Sequence, residues 1–256
     1  MTPSPPPIVI MPGPAEEDDF LSGSDATLTY VIASVQRTGS SLLARGLWES
    51  GVAGAPNEYF NPLQRRLFDP RWGRLSNKAF VQRLRRHRTS DNGLFGIKIH
   101  FSHMRRLGID LEGLLGPARY IATTRVDEVA QAVSLEIARQ TGMWTSEFPG
   151  NGRDPVYRSA AIKRRLAEIR RSEIGWERFF ARNGIEPLRL TYEAIAENYE
   201  QSQRTALEFL GVDGADVPVG PPSLRPVANE TASEWYERFR GETDEIGDER
   251  SVMRDR

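Results

Sequence analysis

The hydrophobic pattern of this chain switches repeatedly between two periods. Short, continuously apolar runs alternate with longer segments in which apolar residues recur every three or four positions. Four runs predict strands: residues 29–35, 94–99, 119–124 and 187–192. Helical spacing predicts helices over 41–51, 127–141, 158–183, 193–211 and 229–240. In the first of these Leu42, Leu43, Gly46 and Leu47 share a face; in the third, Ile162, Leu166, Ile169, Trp176 and Phe180 do. The Arg-rich stretch 63–90 is also helical in pattern, and 51–62 is a loop. Strands that alternate with helices predict an α/β fold with a central parallel sheet flanked by helices. In such sheets ligands bind beyond the carboxyl ends of the strands.

Composition narrows the picture. A chain of 256 residues can bury one full α/β core, so residues 27–240 are expected to form a single domain. Lys plus Arg total 34 against 35 Asp plus Glu, a balance that argues against a nucleic-acid binder. The absence of cysteine excludes disulfides, thiolate metal sites and a cysteine nucleophile. His87, His100 and His103 leave little material for a metal centre, and none is expected. No apolar run approaches the roughly 20 residues that span a bilayer. Residues 1–26 are Pro-rich and then acidic, which reads as a disordered leader rather than a signal peptide. Residues 241–256 read as a charged, flexible tail.

The first strand runs into Gln36-Arg37-Thr38-Gly39-Ser40-Ser41-Leu42-Leu43. A strand that turns directly into a helix N-terminus aims backbone N–H groups and the positive dipole end at one point. Gly39 permits a close turn, Ser40 and Ser41 add hydroxyl donors, and Arg37 adds a fork of charged donors. The pattern suits a phosphate-like anion, although a capped βα turn uses similar residues. It is not a Walker A loop, whose Gly-Lys-Ser/Thr ending is missing. The third strand ends in Thr123-Thr124-Arg125, and Asp127 opens a helix that carries Ser134. Two strand-to-helix turns of this kind suggest a ligand with two separate anionic groups.

These segments carry a resemblance. Gln36 through Leu43, Gly51 through Phe60, Gly96-Ile97-Lys98, Thr124-Arg125 and Gln131 through Ser134 follow the order seen in the Stf0-type bacterial sulfotransferases. Trp144 and the segment from Asn229 through Trp235 to Phe239 fit as well, so the resemblance spans about residues 28–240. It implies a P-loop-like nucleotide-binding sulfotransferase fold and 3′-phosphoadenosine 5′-phosphosulfate (PAPS) as donor. By carry-over Arg37, Thr38, Gly39, Ser40 and Ser41 hold the phosphosulfate, Arg125 and Ser134 the 3′-phosphate, and Arg225 closes over the nucleotide. Arg37 and Lys98 would offset charge on the leaving phosphate.

Glu58, in the loop after the first helix, resembles the family's proposed base. His100 competes for that role: Lys98-Ile99-His100 is similar to the Lys-Thr-His of cytosolic sulfotransferases and departs from the Stf0 pattern. His103 is either structural or faces the acceptor. Tyr59, Phe60 and Trp144 form either an acceptor platform or ordinary packing. The basic run 65–88 either binds an anionic acceptor or partner, or is a solvated face. The acceptor is a hydroxyl of a carbohydrate, glycolipid or other small molecule. A homodimer in the cytoplasm is expected. A small P-loop-like kinase and a non-catalytic nucleotide binder are the alternatives, and magnesium dependence of binding separates the first of them.

Overall fold

A computed structural model describes residues 13–20, 25–147, 150–213, 217–224 and 230–254. Its sheet has four strands: β1 (Leu28–Ser34), β2 (Leu94–His100), β3 (Arg119–Thr124) and β4 (Leu188–Thr191). All pairings are parallel, in the order β2-β1-β3-β4. The expected α/β architecture is therefore present. β1 and β2 are almost wholly buried, which is why their apolar runs are continuous rather than alternating.

The helices are α1 (Ser40–Glu49), α2 (Pro62–Leu67), α3 (Asp69–Trp72), α4 (Asn77–Arg88), α5 (Phe101–Arg106) and α6 (Leu111–Leu115). They continue as α7 (Glu128–Thr141), α8 (Ser159–Asn183), α9 (Tyr192–Glu197), α10 (Tyr199–Phe209) and α11 (Glu230–Arg254). The chain divides into two compact units: Met1–Val126 with Arg171–Leu224, and Asp127–Arg170 with Arg225–Arg256.

In the first unit α1, α9 and α10 cover one sheet face. Tyr30, Ile32, Leu43, Leu47, Ile121 and Ile195 meet there. The other face receives the second half of α8. Trp176 stacks on Phe180, Tyr120 packs edge-on against Phe180, and the Trp176 indole N–H donates to the Ser34 carbonyl at 2.9 Å. In the second unit the Arg165 guanidinium joins α8 to α7 by pairing with Glu136 at 2.8 Å.

Several expectations need correction. The stretch 63–90 is three helices rather than one, because Pro70, three residues after α2 and in the first turn of α3, has no N–H to continue the α2 ladder, and Gly73 adopts φ +71° after α3. The segment 193–211 breaks at Asn198 into α9 and α10. The last helix does not stop at residue 240, and its backbone continues to Arg254.

The acidic end of the leader is built into the fold. Gly13–Phe20 includes a 3-10 turn, Glu16–Asp18, and Asp19 meets Arg71 at 2.5 Å, His87 at 2.9 Å and Arg88 at 3.1 Å. The basic run is likewise not a solvated face throughout. Arg88 is fully buried, Arg65 lies over the Phe80 ring at 4.3 Å, and Arg85 donates to the Leu115 carbonyl. Among the described residues no helix is long and apolar enough to cross a membrane, and no group of three His, Cys, Asp or Glu is arranged to hold a metal.

Candidate active site

The site lies beyond the carboxyl ends of β1, β2 and β3. The turn from β1 into α1 is conformationally unusual. Gly39 sits in the left-handed region at φ +75°, where a Cβ would come within 3.3 Å of the Tyr192 ring. Arg37 takes φ +69°, the one non-glycine residue among those described with positive φ. Such a conformation costs about 1–3 kcal/mol and persists where surrounding structure enforces it, often at functional sites. Gly39 is the N-cap of α1 and has no side chain to satisfy the first-turn amides, which suits them to an anion.

Two guanidinium groups converge here. Burial first, and then the nearby charge of Arg125, pull Arg37 down to about 10. Arg125 lies over the Tyr192 ring at 4.3 Å, and its Nε is buried without a hydrogen-bond partner. Like charges held close out of water favour an anion between them. Tyr192 carries no local signal of this contact, since nothing in the sequence pattern brings α9 under Arg125.

The other half of the site is an acid-base cluster. Lys98 is 1% exposed; its Nζ donates to Ser41 Oγ at 2.6 Å and pairs with Glu58 Oε1 at 2.8 Å. His100 Nε2 reaches the same Oε1 at 3.0 Å, while its Nδ1 is 2.8 Å from Ser34 Oγ. Asn61 Nδ2 donates to Glu58 Oε2 at 3.1 Å. His103 Nδ1 stands 4.0 Å from that oxygen, and the two imidazole centroids are 5.3 Å apart. The Glu58 loop is fixed to the sheet edge because the Lys98 backbone N–H donates to the Asn57 carbonyl at 3.0 Å. Ser34 and His100 are direct partners in the β1–β2 register, so Ser34 was discoverable once the strands were aligned. Asn61 gave no such signal.

Electrostatics follow from this packing. Burial alone would raise the Glu58 carboxyl. The charges of His100 and Lys98 and the hydrogen bond from His100 outweigh it and hold Glu58 well below the usual carboxylate range. Glu58 is therefore an acceptor-only carboxylate at neutral pH, and His100 Nε2 must be the donor between them. For His103, burial, with His100 next in weight, lowers the imidazole to about 4, so the ring is neutral at physiological pH.

Arg37, Ser41, Glu58, Lys98, His100, His103 and Arg125 are thus brought to one end of the sheet. Other assignments change. The Thr38 hydroxyl is committed elsewhere, donating to the Val35 carbonyl at 2.9 Å and paired with Thr123 Oγ1 at 2.8 Å. Only its backbone is suited to a ligand. Tyr59 and Phe60 are fully buried and form no acceptor platform: Tyr59 packs on Phe68 and donates to the Ala55 carbonyl, and Phe60 packs on Phe80. Ser40 is buried at the start of α1. Ser134, on α7, and Trp144, just after it, belong to the second unit, and both are half-buried. Arg225 lies outside the described residues.

Comparison with known proteins finds related sequences. A family model described as Stf0 sulphotransferase matches residues 29–242. The chain is 29% identical to a trehalose 2-sulfotransferase of Mycobacterium tuberculosis, covering 88% of this chain and 98% of that protein. It is also 29% identical to a trehalose 2-sulfotransferase of Mycolicibacterium smegmatis, with the same coverage. Among solved structures, the sulfotransferase domain of the Synechococcus PCC 7002 olefin synthase matches with a TM-score of 0.43 and 15% identity, over 85% of this chain and 96% of that one.

Proposed function

The chain belongs to the Stf0 sulphotransferase family, and on that premise we propose that it moves a sulfuryl group from PAPS to a hydroxyl of a small carbohydrate. One observation carries the reading most: Lys98 links Ser41 of the anion-binding turn to the buried carboxylate of Glu58. A cation is thereby fixed between the place for a leaving phosphate and the place for an acceptor.

The donor supplies sulfur already activated by a phosphate leaving group. What the protein adds is position and charge. The turn Arg37–Ser41 holds the phosphosulfate through first-turn amides, the Ser40 and Ser41 hydroxyls and the Arg37 guanidinium. Arg125 adds a second guanidinium, and its unpartnered Nε fits a group of high negative charge. Ser134 is assigned to the nucleotide by family likeness alone. Lys98 offsets charge that develops on the phosphate as the bond to sulfur breaks. The Glu58 carboxylate holds Lys98 and His100 in place. The relatives' names make trehalose the first acceptor to try.

Titration calorimetry with adenosine 3′,5′-bisphosphate tests the donor site. Binding is expected without metal, and Arg37→Ala should weaken it about 10- to 100-fold, the loss of one charged hydrogen-bonding group. Absence of bisphosphate binding by the wild type, or a preference for ATP with magnesium, would overturn the reading in favour of a kinase-like site.

A further inference from the structure

Three groups could take the acceptor's proton, and their hydrogen bonding separates them. Glu58 receives donors from Lys98, His100 and Asn61, which engage both of its carboxylate oxygens. His100 has both ring nitrogens engaged, one by Ser34 and one by Glu58. His103 differs. Its Nδ1 is buried without a hydrogen-bond partner and faces Glu58 Oε2 at 4.0 Å. The side chain is 16% exposed, and its Nε2 is neither buried nor bonded within the protein.

The tautomer follows from charge. A lone pair on Nδ1 would point at a carboxylate and be repelled, whereas an N–H there is attracted. The proton therefore belongs on Nδ1, and the basic lone pair on Nε2, at the accessible edge of the ring. We infer that His103 Nε2 is the general base of the transfer, with Glu58 as the residue that orients it. The inference rests on the sulfuryl-transfer reading above. The acceptor oxygen forms a bond to sulfur as the bond from sulfur to the phosphate oxygen breaks. The hydroxyl proton passes to Nε2, the electron pair of the broken bond stays on the phosphate, and the imidazolium later releases its proton to water. Glu58, 4.0 Å from Nδ1, stabilises the imidazolium as it forms. The charged neighbours that face the ring are Glu58, which favours protonation, and His100, Arg106 and Lys98, which oppose it. Burial first, and then these charges, keep the resting ring neutral, so that Nε2 carries a free lone pair.

Protein labelled with nitrogen-15 at histidine, read by long-range proton–nitrogen correlation at neutral pH, tests the assignment without any acceptor. His103 is identified by its loss in His103→Gln. A neutral ring protonated on Nδ1 is expected. A ring protonated on Nε2, or on both nitrogens, would overturn the inference. With trehalose as acceptor, His103→Gln should lower kcat about 10²- to 10⁴-fold, the usual share of general-base catalysis. The variant should bind the bisphosphate as the wild type does. Activity near wild type in that variant would also overturn the inference. Failure of the wild type to bind the bisphosphate would instead remove the donor reading itself, so the two failures are distinguishable.

Discussion

Lys98→Met should lower turnover by about two to three orders of magnitude, the effect of removing one preorganised donor from a site of charge development. Methionine keeps an unbranched apolar stem close to that of lysine and removes the ammonium group. Two contacts vanish together, because the same Nζ touches Ser41 and Glu58. Glu58 keeps its bonds from His100 and Asn61, so the cluster should remain assembled. Its carboxyl should move back up, since the Lys98 charge is one of the influences that lower it. Steady-state kinetics with PAPS and trehalose, with a thermal melt to verify folding, provide the check. Turnover close to wild type in a folded variant would take Lys98 out of the reaction.

Asp19→Ala should destabilise the protein by about 3–5 kcal/mol, because it removes a nearly buried anion from the fully buried Arg88 and the partly buried Arg71. Arg88 is fully buried, and its hydrogen-bonding partners are the Gly13, Ala15 and Asp18 carbonyls and the Asp19 carboxylate. Every one of them comes from Gly13–Phe20. The same carboxylate also holds Arg71 and His87. The effect should extend toward the active site. The Arg88 carbonyl accepts from the Ala55 N–H at 3.1 Å, and Ala55 begins the short loop that leads to Glu58. Urea unfolding of wild type and variant measures this directly. A change under about 0.5 kcal/mol, the range of ordinary surface substitutions, would mean that the segment rests on the surface without holding it. The family match begins at residue 29, so Gly13–Phe20 lies outside it, whereas Arg71, His87 and Arg88 lie within it.

Much of the sheet was legible because β1, β2 and β3 are buried, and burial leaves continuous apolar runs that local pattern detects. The carboxyl ends of parallel strands then point to the place for a ligand. What the pattern missed was long-range or local in a finer sense. The acidic leader has the composition of a disordered segment, yet its partner is a buried arginine 69 positions away at Asp19. No window of sequence contains that pair. Asn198, Pro70 and Gly73 are visible breakers, but an overall helical period masked them. Tyr59 and Phe60 were ambiguous between platform and packing, and the four-ring cluster with Phe68 and Phe80 settles it. Within the site, the turn chemistry pointed to Arg37, and the family resemblance to Glu58 and Lys98. Only geometry showed that His100 is fully engaged and His103 is not.

The most direct test of sulfuryl transfer uses PAPS radiolabelled on sulfur, trehalose and a metal chelator with the purified protein. The account predicts label in a trehalose monosulfate, with adenosine 3′,5′-bisphosphate released in equal amount. Label that remains on the donor or appears only as free sulfate, across trehalose and other carbohydrate hydroxyls, would contradict it.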